Sequence, residues 1–266
     1  MSLVRIAVRI AAVEALRGRT LAGDNILDSE IGALDVDADG ELRTVEDRPF
    51  VTVYTDAATT KDVDTSLRSM VQNGATQILF EAGITAAMTE TDPDTDESRL
   101  IGIGIPATDR AFEFHLDMVA RQIGDALTDP ENEWAQIFSG LIQRYVLIER
   151  ARTSGDNNGV RLAAQQIKLT VDLIADPVKG EPLRATGAFA KFLAKADTIE
   201  DQAMTVQIAA IRTAISGAAF DWQIEQRRYG MTGGEMNALL LMPQEGAEAD
   251  VGVTTVDATP AEPVQP

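Results

Sequence analysis

The chain has 266 residues, of which 45% are hydrophobic, and this is enough apolar material to build a buried core. Its 42 acidic and 23 basic residues give a formal net charge of −19, which argues against nucleic-acid binding through clustered cations. It contains no cysteine, so disulfides, thiolate metal sites and cysteine nucleophiles are excluded.

The N-terminal sequence predicts neither a signal peptide nor a membrane span. A basic segment followed by an apolar block is missing, and no run of about 18 apolar residues occurs in the chain. We therefore expect a protein without membrane contact.

The first 23 residues predict a helix with one apolar stripe and one basic side. The stripe follows three- and four-residue steps through Leu3, Ile6, Ile10, Val13 and Leu16. Gly18 and Gly23 are expected to end the helix. The residues off the stripe include Arg5, Arg9, Arg17 and Arg19. This basic side is either a solvated polar face or a docking surface for an acidic neighbour, such as another copy of the chain.

Residues 26–34 and 48–55 predict two strands that are joined by an acidic connection. The connection matches the spacing of a calcium loop, with candidate ligands at Asp35, Asp37, Asp39 and Glu46. Such a loop is normally flanked by two helices, whereas here Pro49 and a strand follow at once, and Arg43 occupies a position that usually presents an oxygen. Two interpretations remain, a calcium site and an acidic β-hairpin connection.

The middle of the chain predicts two strands around an exposed loop. Apolar alternation predicts a long strand over residues 78–86, and the polar, largely acidic stretch 89–99 predicts the loop. The glycines that follow, Gly102 and Gly104, match a phosphate-binding turn only in part. Pro106 stands about where the third glycine belongs, and no P-loop lysine follows. A close-packed strand is the better interpretation.

Two amphipathic helices and a further strand are predicted next. Thr108 or Asp109 is expected to cap the first helix, and the second begins near Glu133. The apolar stripe of the first helix contains Phe112, Leu116, Val119, Ile123 and Leu127. Alternation over residues 167–173 predicts a strand that ends at the turn beginning with Asp176.

The residues after 178 change in composition. Residues 183–242 predict three or four short helices, with Thr198 and Thr232 as N-caps and a capping box between Thr232 and Glu235. Residues 243–266 contain no Lys or Arg and few bulky apolar side chains, which predicts a disordered acidic tail. We expect an α+β fold with a mixed, mostly antiparallel sheet over residues 1–178 and a helical region over 179–242.

No pattern in the sequence positions the nucleophile, general base or metal ligands of an enzyme active site. His115 is the only histidine, and no Gly-x-Ser-x-Gly pattern is present. His115 is better explained as a packing residue on a helix surface. We therefore predict no enzyme and assign no catalytic or cofactor-binding residue.

Several segments in chain order resemble the tail terminator proteins of tailed bacteriophages and related prophages. They are VRIAAVEALRGRTL, ILDSEIGALD, EDRPFVTVYTD, QILFEAGITAAM, IPATDRAFEFHLDMVARQIGDAL and NEWAQIFSGLI. The resemblance spans residues 3–175 and rests on the order and texture of the segments.

The resemblance implies a mixed sheet flanked by helices and a homohexameric ring. Such a ring caps the last ring of the tail tube, stops its polymerisation and docks a neck or head-completion protein; in contractile tails it also meets the sheath. It would belong to the virion tail or neck after assembly in the host cytoplasm. DNA would pass through the lumen without specific binding, because the acidic charge repels phosphates.

Three other functions remain open from the sequence. They are another head–tail connector ring, a calcium-stabilised interaction module that uses residues 35–46, and, last, a carboxylate-dependent hydrolase.

Overall fold

The computed structural model describes residues 2–29, 49–61, 68–84, 86–91, 98–104, 110–157 and 160–243. Its helices are α1 (Leu3–Leu16), α2 (Arg110–Thr128), α3 (Glu133–Leu141), α4 (Ala188–Ala196), α5 (Gln202–Ile215), α6 (Asp221–Tyr229) and α7 (Gly233–Ala238). Its strands are β1 (Ile26–Asp28), β2 (Pro49–Thr59), β3 (Ala75–Ile84), β4 (Ala86–Thr91), β5 (Ser98–Gly104), β6 (Ile142–Asn157) and β7 (Val160–Leu173).

Five of the strands form one mixed sheet in the order β1-β2-β3-β7-β6, and β4 and β5 pair separately. Only the β1–β2 pair in the larger sheet is parallel, and its other pairs are antiparallel. The predicted α+β fold with a mostly antiparallel sheet is therefore confirmed.

Helix α1 lies in the centre of the core. It contacts β1 and β2 on one side and α2, α3 and α4 on the others. Its buried residues are Val4, Ala7, Val8, Ile10, Ala11, Ala12, Val13, Ala15 and Leu16. The single apolar stripe predicted for this helix is therefore wrong in part. Ile10, Val13 and Leu16 are buried, but Leu3 and Ile6 are only partly buried, and alanines fill the sides where neighbours approach closely.

The basic side of α1 binds acceptors of its own chain. The Arg5 guanidinium donates to the backbone carbonyl of Asp56 at 2.7 Å. The Arg9 guanidinium pairs with the Asp28 carboxylate at 2.5 Å. Both side chains therefore hold α1 to the sheet edge.

The N-terminus of α1 is held by a residue far away in the chain. Ser2 caps the helix, and its hydroxyl donates to Asp176 at 2.6 Å. The same carboxylate accepts the backbone N–H groups of Leu3 at 3.1 Å and Val4 at 3.0 Å. Asp176, which the sequence predicts only as part of a turn, thus joins the end of the sheet to the start of the first helix.

The strand pairing corrects one prediction about the acidic connection. Ile26 of β1 lies opposite Val51 of β2 in parallel register, so the proposed hairpin connection between these strands is wrong. Pairing partners are set by the whole sheet, and a local sequence pattern cannot specify them. Residues 35–46, with the candidate calcium ligands, lie outside the described residues.

Two further predictions in the middle of the chain are wrong in part. The long strand predicted over residues 78–86 is divided, because β3 ends at Ile84 and β4 belongs to the second sheet. The predicted loop over 89–99 begins and ends as strand, since Glu90 pairs with Arg99. The strand predicted at Gly102 and Gly104 is confirmed as β5.

Helix α2 follows its predicted stripe from Leu116 onward, and α3 is amphipathic as predicted. Leu116, Val119, Ile123 and Leu127 of α2 are buried, as are Ile137, Phe138 and Leu141 of α3. Asn132 caps α3 by accepting the backbone N–H of Trp134 at 3.1 Å, and its amide donates to the Ala15 carbonyl at 2.9 Å. This buried cap fixes the start of α3 against the end of α1.

The four helices that the structure describes between residues 179 and 243 match the predicted number. Helix α4 packs on α1 and α3, and the buried cluster includes Phe189, Phe192, Leu193, Ile208 and Ile211 of α4 and α5. The predicted N-cap at Thr198 is wrong, because Asp201 caps α5 and accepts the Ala203 N–H at 3.1 Å. The capping box of Thr232 and Glu235 is confirmed.

Candidate interaction surface

The described residues offer no reacting constellation. They contain no group of three or more His, Asp or Glu side chains arranged to hold a metal ion. His115 is exposed on α2, where its ring meets Phe114 edge-on at a centroid distance of 6.2 Å. Among the helices that the structure describes, none has the length and hydropathy needed to cross a bilayer.

The candidate calcium ligands Asp35, Asp37, Asp39 and Glu46 lie outside the described part of the chain, so the calcium site stays a prediction. Calorimetric titration of the protein with calcium tests it. An absence of binding heat would exclude the metal, and a one-site isotherm that Glu46→Gln abolishes would establish it.

A polar cluster lies on the sheet away from the helices. The Tyr54 hydroxyl donates to Glu81 Oε1 at 2.7 Å, and the Gln166 amide donates to the same oxygen at 2.7 Å. Burial, and after it the hydrogen bond and negative charge of Glu81, raise the pKa of the Tyr54 phenol. The phenol is therefore held neutral as a donor, and the cluster ties β2, β3 and β7 together.

An open groove of about 860 Å³ lies at one end of the sheet, beside the start of β6. Three arginines line it, and each already has an acidic partner. Arg144 pairs with Asp172 at 2.6 Å, Arg228 with Glu181 at 2.7 Å, and Arg68 with Glu235 at 2.5 Å. Lys61 also lines the groove, so apart from this one lysine the groove offers little uncompensated positive charge to an anionic ligand.

The outer edge of the five-stranded sheet is the most conspicuous surface. Within the described residues, β6 is the last strand and pairs with β7 alone. Its apolar residues are exposed, with relative accessibilities of 46% for Tyr145, 50% for Val146, 51% for Leu147 and 45% for Ile148. An edge strand with free backbone donors and acceptors and an apolar run is a template for another strand. We call Arg144 to Glu149 the β6 edge.

Charged residues at both ends of the β6 edge are anchored on β7. Arg144 bonds to Asp172 at 2.6 Å, and Glu149 pairs with Lys168 at 3.0 Å. Because directly opposite residues of an antiparallel pair share a face, Arg144 and Glu149 project to the same side of the sheet. The edge thus presents an apolar centre between one positive and one negative end.

The sequence did not predict this strand. A short apolar run rich in Val and Ile is a strand signal, but a register shift between Tyr145 and Leu147 interrupts the two-residue period that would have marked it.

Exposed apolar side chains also occur after α5, at Phe220, Tyr229, Leu239, Leu240 and Leu241.

The chain matches no protein-family model and none of the curated proteins.

Proposed function

We propose that this chain is a structural protein of a tailed bacteriophage, a tail terminator that forms a homohexameric ring at the end of the tail tube. The order of the segments between residues 3 and 175 supports this assignment. So does the mixed sheet covered by helices, which is the fold that the resemblance implies. Fold alone does not specify function, so the assignment depends on the surface that the fold presents.

The β6 edge is the observation that carries the proposal. A soluble protein that leaves four consecutive large apolar residues on an unpaired edge strand exposes a surface suited to association. A ring subunit needs such a surface, because its stability as a particle comes from contacts with its neighbours. The head side of the ring would then meet a neck or head-completion protein, and the other side the tube.

The charge of the chain suits a ring through which DNA passes. The formal charge of −19 on each subunit is multiplied around the ring, and like charge repels the phosphates of the genome. The lumen would therefore leave DNA mobile and without specific contacts.

The test is to incubate the protein with growing tail tubes and to measure tube length and end structure by negative-stain microscopy. We expect shorter tubes that carry a sixfold cap at one end. Val146→Lys should weaken capping, because a lysine on an edge strand opposes strand addition. The matched control is Val206→Lys on α5, since Val206 is similarly exposed at 59% and lies outside the edge. Tubes of unchanged length without caps would reject the proposal.

A further inference from the structure

We propose that in the free protein the β6 edge pairs with the β6 edge of a second copy, antiparallel, about a two-fold axis that passes between Val146 and Leu147. The pairing is inferred from the geometry of this strand and does not depend on the role in a phage particle.

A register shift between Tyr145 and Leu147 changes which side chains of β6 share a face. In a regular strand, residues five positions apart point to opposite faces. Arg144 and Glu149 instead lie opposite Asp172 and Lys168, which are four positions apart on β7 and share a face. The extra residue at Val146 therefore brings the two charges of the β6 edge to the same side.

The apolar residues show the same symmetry on the other face. Tyr145 lies opposite Val171, and Ile148 lies opposite Leu169. Val171 and Leu169 are both buried under the helices, so Tyr145 and Ile148 share the helix-covered face. The β6 edge is therefore symmetric about its centre: Arg144 and Glu149 at its ends lie on one face, and Tyr145 and Ile148 inside them lie on the other.

An antiparallel second copy then places complementary groups opposite each other. Arg144 faces Glu149 of the second copy, and Tyr145 faces Ile148 of the second copy. The two-fold axis repeats both contacts. With the existing bonds to β7, the charges form a ladder across four strands, from Asp172 through Arg144 to Glu149 and Lys168 of the second copy. A parallel, in-register pairing would instead set each charge opposite its own copy.

A second copy is thus the occupant that the charge pattern of this edge fits. Bulges and charges usually protect an edge strand from pairing. Here the bulge aligns the charges so that an identical edge adds an opposite charge beside each of them, next to the partner that each already has on β7. A strand without this pattern adds no such contact. Because a head-to-tail ring contact through β6 needs the same edge, the pair and such a contact exclude each other, and the pair would open before the subunit joins a ring.

Two charge reversals test the pairing by complementation. Arg144→Glu alone should place two glutamates opposite each other twice, and Glu149→Arg alone should do the same with two arginines. Each variant should associate more weakly than the unaltered protein by roughly tenfold or more, because opposite-charge pairs become like-charge pairs. Mixed in equal amounts, the two variants should restore the pair, since every contact in the mixed dimer joins opposite charges.

Sedimentation equilibrium measures the result against the chain mass of 28.6 kDa. Circular dichroism of each variant checks the fold, because both positions also contact β7. Arg150→Glu is the control, since Arg150 lies on the same strand but opposite Ile167, on the other face. It should leave the dissociation constant within about threefold of the unaltered protein, as an exposed charge away from the contact contributes little.

Cysteine pairs locate the register independently, because the chain has no cysteine of its own. Tyr145→Cys mixed with Ile148→Cys should form a disulfide dimer on mild oxidation. Each variant alone should do so poorly, since its cysteines would be about three residues apart along the strands, or roughly 10 Å.

A monomer at all concentrations, a mixture that fails to restore the dimer, or crosslinks that prefer identical positions would overturn the pairing. Capping of tail tubes is measured in a separate experiment, so a failure of the pairing does not decide whether the protein caps tubes. A dimer that never caps tubes would reject the proposed function and support the pairing, and a cap without the dimer would do the reverse.

Discussion

Replacing Asp176 with alanine is expected to lower the free energy of unfolding by about 3–5 kcal/mol, which is large for one half-buried residue. Its carboxylate accepts hydrogen bonds from Ser2, Leu3, Val4 and Asn73 at 2.6, 3.1, 3.0 and 3.2 Å. It therefore joins the first turn of α1 to the segments that follow β7 and precede β3.

The size of this loss depends on which hydrogen-bond donors lose the Asp176 carboxylate and cannot bind water in its place. Val4 is fully buried and Asn73 is 7% exposed, so their N–H groups stay largely dry in the variant. Each hydrogen bond to a charged group contributes about 1.5–3 kcal/mol, whereas Ser2 and Leu3 regain some water. A negative charge at a helix N-terminus adds about 0.3–1 kcal/mol. Asp176→Asn keeps an oxygen acceptor and should lose about half as much.

Urea unfolding followed by circular dichroism measures the change, with a melting temperature lower by roughly 10 °C as a second readout. Asp125→Ala is the control, because Asp125 pairs only with exposed Arg121 of its own helix, and such pairs contribute about 0.5 kcal/mol or less. If the free energies of unfolding of the two variants differed by under about 1 kcal/mol, Asp176 would not anchor α1. The loss of an acceptor by the buried N–H groups of Val4 and Asn73 would then not carry the expected cost.

Three other predictions address the core and the last helix. Phe192→Ala should lower the free energy of unfolding by about 3–5 kcal/mol and unfold α4 together with α1 in one transition, because this fully buried ring lies in the shared cluster. Two separate transitions in calorimetry would contradict this. Gly83→Val should destabilise by about 1–3 kcal/mol in urea unfolding, since even a Cβ at this position would lie 2.5 Å from the Phe50 ring; Gly124→Val, in open space, is the steric control. The hydrogen bond from Arg68, and then those from Thr232, lower the pKa of Glu235 to about 2. The stabilisation of α7 by the ionised Glu235 carboxylate should therefore be complete above its ordinary pKa of 4.5 and be lost as the pH falls towards 2. NMR titration of the Glu235 carboxyl carbon would show this, and a midpoint near 4.5 would refute it.

The parts of the fold that could be predicted are those with local signals. Helix α3 has a cap at Asn132 and an apolar face, and α7 has the capping box of Thr232 and Glu235; both signals lie within a few residues of the structure they specify. The stripe of α2 was correct for the same reason.

The features of the fold that could not be predicted from the sequence depend on contacts between residues far apart in the chain. Alanines do not indicate which side of a helix is buried, so the sequence could not show that α1 is buried on several sides, against the sheet and against α3 and α4. The parallel pairing of Ile26 with Val51 is fixed by the sheet as a whole. The candidate surface was hardest to predict, because the hydropathy of Tyr145 to Ile148 indicates burial, whereas the sheet places this run on its outer edge.

The two edges of the sheet differ in a way that favours closed association over aggregation. The edge formed by β1 has three residues, and Asp28 at its end is held by Arg9 at 2.5 Å. The edge formed by β6 has sixteen residues and carries the complementary charges. If β6 added to any free edge, sheets could grow into fibres. A contact in which each β6 edge pairs with an identical one occupies both β6 edges at once, so the paired sheets cannot extend further through β6. A long apolar edge can therefore be kept in an acidic protein when its charges select its own copy as the partner.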